Sequence, residues 1–219
     1  MSARPNVTTA RSRCLAAALD LMAVNGFNGT SIRDIAGAAE TSLSNLYNHF
    51  SSKSDVLVAL LREANDDLLR RIRAGVKAAD PGATDRLAAA VAAYVTFSVE
   101  CQTAAVISLS EFRYLRGEGR TEVVRARDTT ESIFRAIVAD GAANGEFLTP
   151  HPDDATRVIV SICSTISAWY RADGRMSLDE LADVHVRYAL ALVEASALAQ
   201  RRDRAAAESV LVQPQCHVA

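Results

Sequence analysis

The chain has 219 residues, with 24 Lys+Arg against 26 Asp+Glu for a formal net charge of −2. At 49% hydrophobic and 23% charged it has the make-up of a globular protein of one or two domains with a buried core, which excludes a disordered chain. Its longest uncharged runs, Leu87 to Val99 and Val158 to Tyr170, have 13 residues each. That is short of the roughly 20 a spanning helix needs, so no membrane partner is expected.

MSARPNVTTARSRC holds no apolar run, so a cytoplasmic protein without a secretory signal is expected. Cys14, Cys101, Cys163 and Cys216 are far apart and form no CxxC pair, which fits free thiols in a reducing compartment. His49, His151, His185 and His217 are equally dispersed, so no metal site is expected.

About forty alanines, and positive charge that is nearly all Arg (Lys53 and Lys77 are the only lysines), favour an all-α fold. Pro5, Pro81, Pro150, Pro152 and Pro214 leave three interior stretches of more than sixty residues free of proline, where long helices are permitted. About nine helices are expected, at 9–24, 31–38, 42–48, 53–79, 84–100, 103–115, 121–144, 153–172 and 178–200. The fourth has the plainest pattern: Val56, Leu57, Leu60, Leu61, Ala64, Leu68, Ile72 and Val76 form one apolar stripe. Residues 1–52 are expected to form one domain and 53–200 a second, with 201–219 a mobile tail.

The first domain carries the chemistry. Gly26-Phe27 closes the first helix; Ser31 and Asp34 form a capping box on the second, and Ser42 caps the third. Two short helices joined by three or four residues, with small alanines at the crossing, make a helix-turn-helix. In that motif the second helix lies in the major groove. Its expected outward residues, Leu43, Ser44, Tyr47, Asn48 and His49, suit phosphates and base edges, where a plain solvated helix would show Glu/Lys pairs. Residues 1–53 have five basic groups and three acidic, net +2, against −4 for the remainder, which also points double-stranded DNA to this end.

The stretch ALDLMAVNGFNGTSIRDIAGAAETSLSNLYNHFSSKSDVLVALL resembles the DNA-binding region of TetR-type bacterial repressors. The resemblance implies phosphate contacts from Tyr47, His49 and Lys53, and base reading by Arg33, Leu43 and Ser44. The caps Ser31 and Ser42, with Asn48, complete the expected DNA-contact set. Glu40 stands in the turn where the family commonly has Gly; a non-Gly residue in a left-handed conformation costs about 1 kcal/mol.

The resemblance further implies a homodimer and a pocket for a small-molecule effector in the other helices. The segments EFRYLRGEGRTEVVRARDTTESIFRAIVADGAANGEF and ISAWYRADGRMSLDELADV look like the C-terminal region of repressors that sense acyl-CoA thioesters in fatty-acid and steroid catabolism. The implied pocket draws on Tyr94, Phe97, Cys101 and Phe112 for an acyl chain, and on Arg113, Arg116, Trp169, Tyr170 and Arg171 for a charged nucleotide. Pairing of these arginines with Glu111, Glu118 and Glu122 on a wet surface is the plain alternative. The dimer face is expected from Val158, Ile159, Ile162, Ile166 and Trp169 on one helix and Leu181, Val184, Tyr188, Leu192 and Val193 on the next. Ligand would act by tilting the fourth helix.

The alternatives are a repressor sensing another hydrophobic molecule and a helical protein-binding adaptor. No enzyme is expected: GxGxxG, P-loop, HExxH and GxSxG patterns are missing, and neither a catalytic residue nor a cofactor is implied.

Overall fold

A computed structural model of the chain describes residues 9–195. The order is α1 (Ala10–Gly29), α2 (Ile32–Ala38), α3 (Leu43–Tyr47), α4 (Lys53–Ala78), α5 (Ala83–Glu100), α6 (Gln102–Ser110), a 3-10 turn (Glu111–Tyr114), α7 (Gly117–Ala143), α8 (Pro152–Ser164), α9 (Ile166–Trp169) and α10 (Leu178–Leu192). Among the described residues the β structure is a single bridge between Phe147 and Ala195. The all-α expectation holds.

The first helix runs on to Gly29 and the seventh starts at Gly117, and three further boundaries differ from expectation for local reasons. The helix expected over 103–115 stops at Ser110 and tightens into the 3-10 turn. The one expected over 153–172 breaks at Thr165, leaving α9 as a four-residue piece. The last, expected to reach residue 200, ends at Leu192, because Glu194 turns left-handed (φ 51°) and Ala195 bridges to Phe147. Residues 196–200 and the expected tail 201–219 lie outside the described residues.

Caps read from the sequence are in place. Ser31 and Asp34 form the capping box of α2, and Ser42 and Ser52 accept from the Asn45 and Asp55 N–H groups at the starts of α3 and α4. A second capping box, Ser177 with Glu180, opens α10.

Two cores form, and α4 belongs to both. Val56, Leu57, Leu60 and Leu61 pack with Cys14, Met22, Ile35 and Leu46 of the reading head. About two to three turns further on, Leu68 and Ile72 pack with Leu87, Val91, Phe134 and Leu181 of the body. Ile107, Leu115 and Val123 of the body also enter the head's core, so packing runs across the expected boundary at residue 52. Cys14 and Cys163 are buried and Cys101 is half-buried, all three as free thiols. Burial pushes the Cys163 thiol up to about 12, which keeps it inert.

At the far end of α7, the Phe147 ring folds onto Gly141; a Cβ there would sit 2.2 Å from the ring. Next to it, Glu146 caps α5, which has only Gly82 at its own cap position. The carboxylate accepts from the Ala83 and Thr84 N–H groups at 3.0 and 2.8 Å. These bonds hold its pKa below the ordinary carboxylate value.

Two outcomes follow for stability. Gly141→Ala is expected to cost about 1–3 kcal/mol in urea unfolding, because Phe147 must leave its site or α7 must bend. Glu146 has a lowered folded pKa, so its stabilisation is complete above the ordinary carboxylate range and is lost as pH falls through the lowered value. Glu146→Gln is therefore expected to melt below the wild type near pH 7, with the gap closing as pH falls through and below the ordinary carboxylate range. A gap that stays constant with pH would assign the effect to packing.

Candidate DNA-reading head and effector cavity

The head is built on buried Ile35, Ala36, Ala39 and Leu46, with the two alanines letting α2 and α3 cross closely. Between the helices the chain reverses at Glu40, whose φ is 49°, the left-handed turn expected there. The Asn45 side-chain amide donates to Thr41 Oγ1 at 2.7 Å and ties the turn to α3. Ser42, Ser44, Tyr47, Asn48 and His49 are exposed, as are Ser31 at the cap of α2 and Arg33 within it. Leu43 is half-buried against the head's core. Seven of the nine expected DNA-contact residues are therefore open to solvent.

Lys53 differs. Its ammonium donates to the Phe27 and Thr30 carbonyls, at 2.7 Å each, and lies 4.3 Å from the Phe27 ring centre. Gly26 (φ 70°) breaks the regular turn of α1, and Lys53 joins the Thr30 N–H on the Phe27 carbonyl at the end of that helix. Its charge is engaged inside the protein, where a phosphate contact was expected.

The body contains a cavity of about 190 Å³ among α4, α5, α6, α7 and α8. Leu61, Ala64 and Leu68 of α4, Tyr94 and Phe97 of α5, Ala105 and Leu109 of α6 and Val160 of α8 make it mainly apolar. Asn65, Ser98, Ser108, Ser164 and Arg127 add polar groups. Asn65 is held by its bond to the Ala126 carbonyl (3.0 Å) and Ser98 by its bond to the Cys163 carbonyl (3.2 Å). Burial pushes the Tyr94 phenol well above its ordinary range, so it stays a neutral hydroxyl. Burial likewise lowers the pKa of Arg127, against the opposing pull of Tyr94.

Of the nine residues expected around the ligand, Tyr94 and Phe97 line the cavity. Phe112 stands just outside it, with the Arg120 and Arg127 guanidiniums 4.3 and 4.1 Å from its ring centre. The other six lie elsewhere. Cys101 faces Asp67 and Arg71. The break after Ser110 turns Arg113 onto Tyr114 and Arg116 onto the carbonyls of Arg113 and Leu115. Trp169 is 53% exposed and stacks on His185. Tyr170 is half-buried with its carbonyl bonded to Gln102, and Arg171 pairs with Asp173 in the exposed turn after α9. The expected pairings of Glu111 and Glu122 differ too: Glu111 is buried on the Phe27 N–H, and Glu122 pairs with Arg62. Arg127 and Asn65, which do line the cavity, were not singled out. The signal for Arg127 was a lone cation on the inward face of α7, in register with Val123, Thr130 and Phe134.

The expected dimer face also needs correction. Ile159, Ile166, Leu181 and Val193 are fully buried within the protomer and cannot meet a partner. Val158, Trp169 and Tyr188 are 42%, 53% and 56% exposed, with Ile162, Val184 and Leu192 half-buried beside them.

A helix-turn-helix head whose core continues into a helical body with an apolar cavity defines a ligand-responsive DNA-binding regulator. The sequence pattern of bacterial regulatory proteins of the tetR family matches residues 15–60, and that of the tetracyclin repressor-like C-terminal domain matches 80–193. The chain belongs to the TetR family of transcriptional regulators, which bind operator DNA as dimers and answer to a small-molecule effector.

Among similar proteins, the HTH-type transcriptional repressor KstR2 of Rhodococcus jostii (strain RHA1) is 28% identical over 186 residues, 82% of this chain and 89% of that protein. A regulatory protein of the tetR family from Rhodococcus RHA1 has a crystal structure that superposes with a TM-score of 0.79 at 29% identity, covering 84% of this chain and 97% of that one. AibR, solved with isovaleryl coenzyme A and operator DNA, shares the fold: TM-score 0.74, 21% identity, 81% and 96% coverage.

If α8–α10 carry the dimer, Tyr188→Glu is expected to convert it to monomer in light scattering at micromolar concentration, with an unchanged helical spectrum. A buried charge without a partner at an interface costs several kcal/mol. A variant that stays dimeric would move the interface elsewhere.

Proposed function

We propose that this chain represses transcription and leaves its operator when a short-chain acyl-CoA thioester occupies the α4–α8 cavity. The observation that carries the reading is the cavity itself: apolar walls, about 190 Å³, and one arginine. A dry cavity of about 150 Å³ holds benzene, so this one takes an acyl group only modestly larger, such as a branched five-carbon chain. A long acyl chain or a fused multi-ring system exceeds it. AibR, of the same fold, binds isovaleryl coenzyme A, which has an acyl group of that size. A short hydrophobic acid without coenzyme A is the second reading, because Arg127 suits a carboxylate as well as a thioester carbonyl.

On DNA, Arg33, Leu43 and Ser44 read bases, while Ser31, Ser42, Tyr47, Asn48 and His49 hold the backbone, in keeping with the exposure of all of them but the half-buried Leu43. Residues 1–52 do the reading and 53–200 the sensing, with α4 between them. Two heads in a dimer meet successive major grooves about 34–36 Å apart, so the operator is an approximate palindrome. The protein works in the cytoplasm, without a cofactor and without catalysis.

The test is fluorescence anisotropy on DNA selected by the protein from a random pool, followed by titration with acetyl-, isovaleryl-, hexanoyl- and palmitoyl-CoA and the free acids. Release by isovaleryl- or hexanoyl-CoA, but not by palmitoyl-CoA or any acid, is the expected result. Release by the acids alone would favour the second reading; release by palmitoyl-CoA would overturn the size argument.

A further inference from the structure

Arg127 stands where the cavity meets the route to the reading head. It lines the cavity, its guanidinium lies 4.1 Å from the centre of the Phe112 ring, and its Nη2 donates to the Ser108 carbonyl in the last turn of α6. Among the described residues it forms no ion pair. Arg120 beside the same ring adds a second positive charge. A partly buried cation held by one carbonyl and one ring lacks the counter-charge that would compensate its lost hydration. An oxygen acceptor entering the cavity supplies it.

Beyond Phe112, the 3-10 turn holds Phe27 from two sides. The buried Glu111 carboxylate accepts from the Phe27 N–H at 2.8 Å, and the Tyr114 ring stacks on the Phe27 ring at 5.4 Å and 21°. The Phe27 carbonyl in turn accepts from Lys53, the first residue of α4. Four residues after Phe27, Ser31 caps α2. A single line of contacts thus runs from the cavity to the start of the helix-turn-helix, separate from the long path along α4.

We infer that Arg127 is a latch: the acyl oxygen of the effector takes its guanidinium away from Ser108 and Phe112, which frees the 3-10 turn and releases Phe27 and the reading head. Glu111 is the positioning residue of this latch. Its carboxylate is buried with the Phe27 N–H as its donor, so partial movement leaves a charge unpaired and the contact is either made or fully broken. Arg127 also caps the end of α6, so its departure removes a cation from the negative end of that helix. The effector's identity rests on the reading given under Proposed function; the latch itself does not.

The test uses the full-length protein on its selected operator. Without effector, Arg127→Met and Glu111→Ala are each expected to weaken operator binding about tenfold, within the usual range of coupling between sites. Glu111→Gln keeps an oxygen for the Phe27 N–H and is expected to stay within about twofold of wild type. Arg127→Met with Glu111→Ala is expected to be no weaker than either alone, because both break the same line of contacts. Calorimetry with isovaleryl-CoA is expected to show near-normal binding to Glu111→Ala and about tenfold weaker binding to Arg127→Met.

Wild-type operator affinity in Arg127→Met, or additive losses in the double variant, would overturn the latch. Should Arg127→Met fail to fold, Arg127→Lys keeps a cation near Ser108 without the planar stack and is expected to fall between wild type and Glu111→Ala. If no thioester or acid releases the wild type, the acyl reading fails, while the effector-free affinities still judge the latch.

Discussion

One helix shared by two cores governs how this protein works. The first half of α4 is fixed to the head by Val56, Leu57, Leu60 and Leu61, and the second half to the body by Leu68 and Ile72. Each of those side chains is worth about 1.5–3 kcal/mol on burial, so neither end can slip without losing more than an effector supplies. The helix therefore moves as a rod. At 26 residues it is about 39 Å long, and a tilt of about 5° at the body displaces the head by about 3 Å. Leu61, Ala64, Asn65 and Leu68 line the cavity, so a ligand entering it meets that rod directly.

The rod alone would leave the head loose in the other direction. Contact of the 3-10 turn with Phe27 supplies a second tether, and Lys53 ties both tethers at one residue by binding the Phe27 carbonyl from the first turn of α4. Two attachments converge on one residue, Phe27, so the angle of the head follows the relative position of α4 and the 3-10 turn. The cavity lies between α4, α6 and α7, and filling it separates the very elements whose spacing sets that angle.

Most of the architecture was legible in the sequence because it rests on local rules. Ser31/Asp34, Ser42 and Ser52 mark helix starts through hydrogen bonds that span three residues, and the α4 stripe needs nothing but periodicity. The exposed face of Ser44, Tyr47 and His49 follows from the same periodicity once Leu46 is placed inside. What failed depended on contacts between distant segments. Glu146 caps a helix that begins more than sixty residues earlier, and Lys53 serves carbonyls of α1; neither partner can be read from spacing. The arginines near residue 115 read as a ligand cluster because they stand beside Phe112 and Leu115 in sequence, and the break after Ser110 turns Arg113 onto Tyr114 and Arg116 onto nearby carbonyls. Ile159, Ile166, Leu181 and Val193 were assigned to a dimer face by apolarity, which marks burial without saying whether the cover is intra- or intermolecular.

The distribution of charge over the head completes the argument. Of its cations, Lys53 is engaged on carbonyls, Arg11 pairs with Glu63 and lies over Phe50, and Arg13 donates to the Ala39 carbonyl. Arg33 is the exposed cation on the helix-turn-helix itself, and Glu40 brings a negative charge to its turn. Among the described residues Arg33 is the one cation that α2 and α3 expose, so these two helices release few counterions and add little sequence-independent affinity. Affinity must then come from base-edge and backbone contacts made by two heads at one fixed spacing. A regulator of this kind is easily released: an effector that spoils the spacing removes the second head's contacts, and little non-specific attraction remains to hold the first.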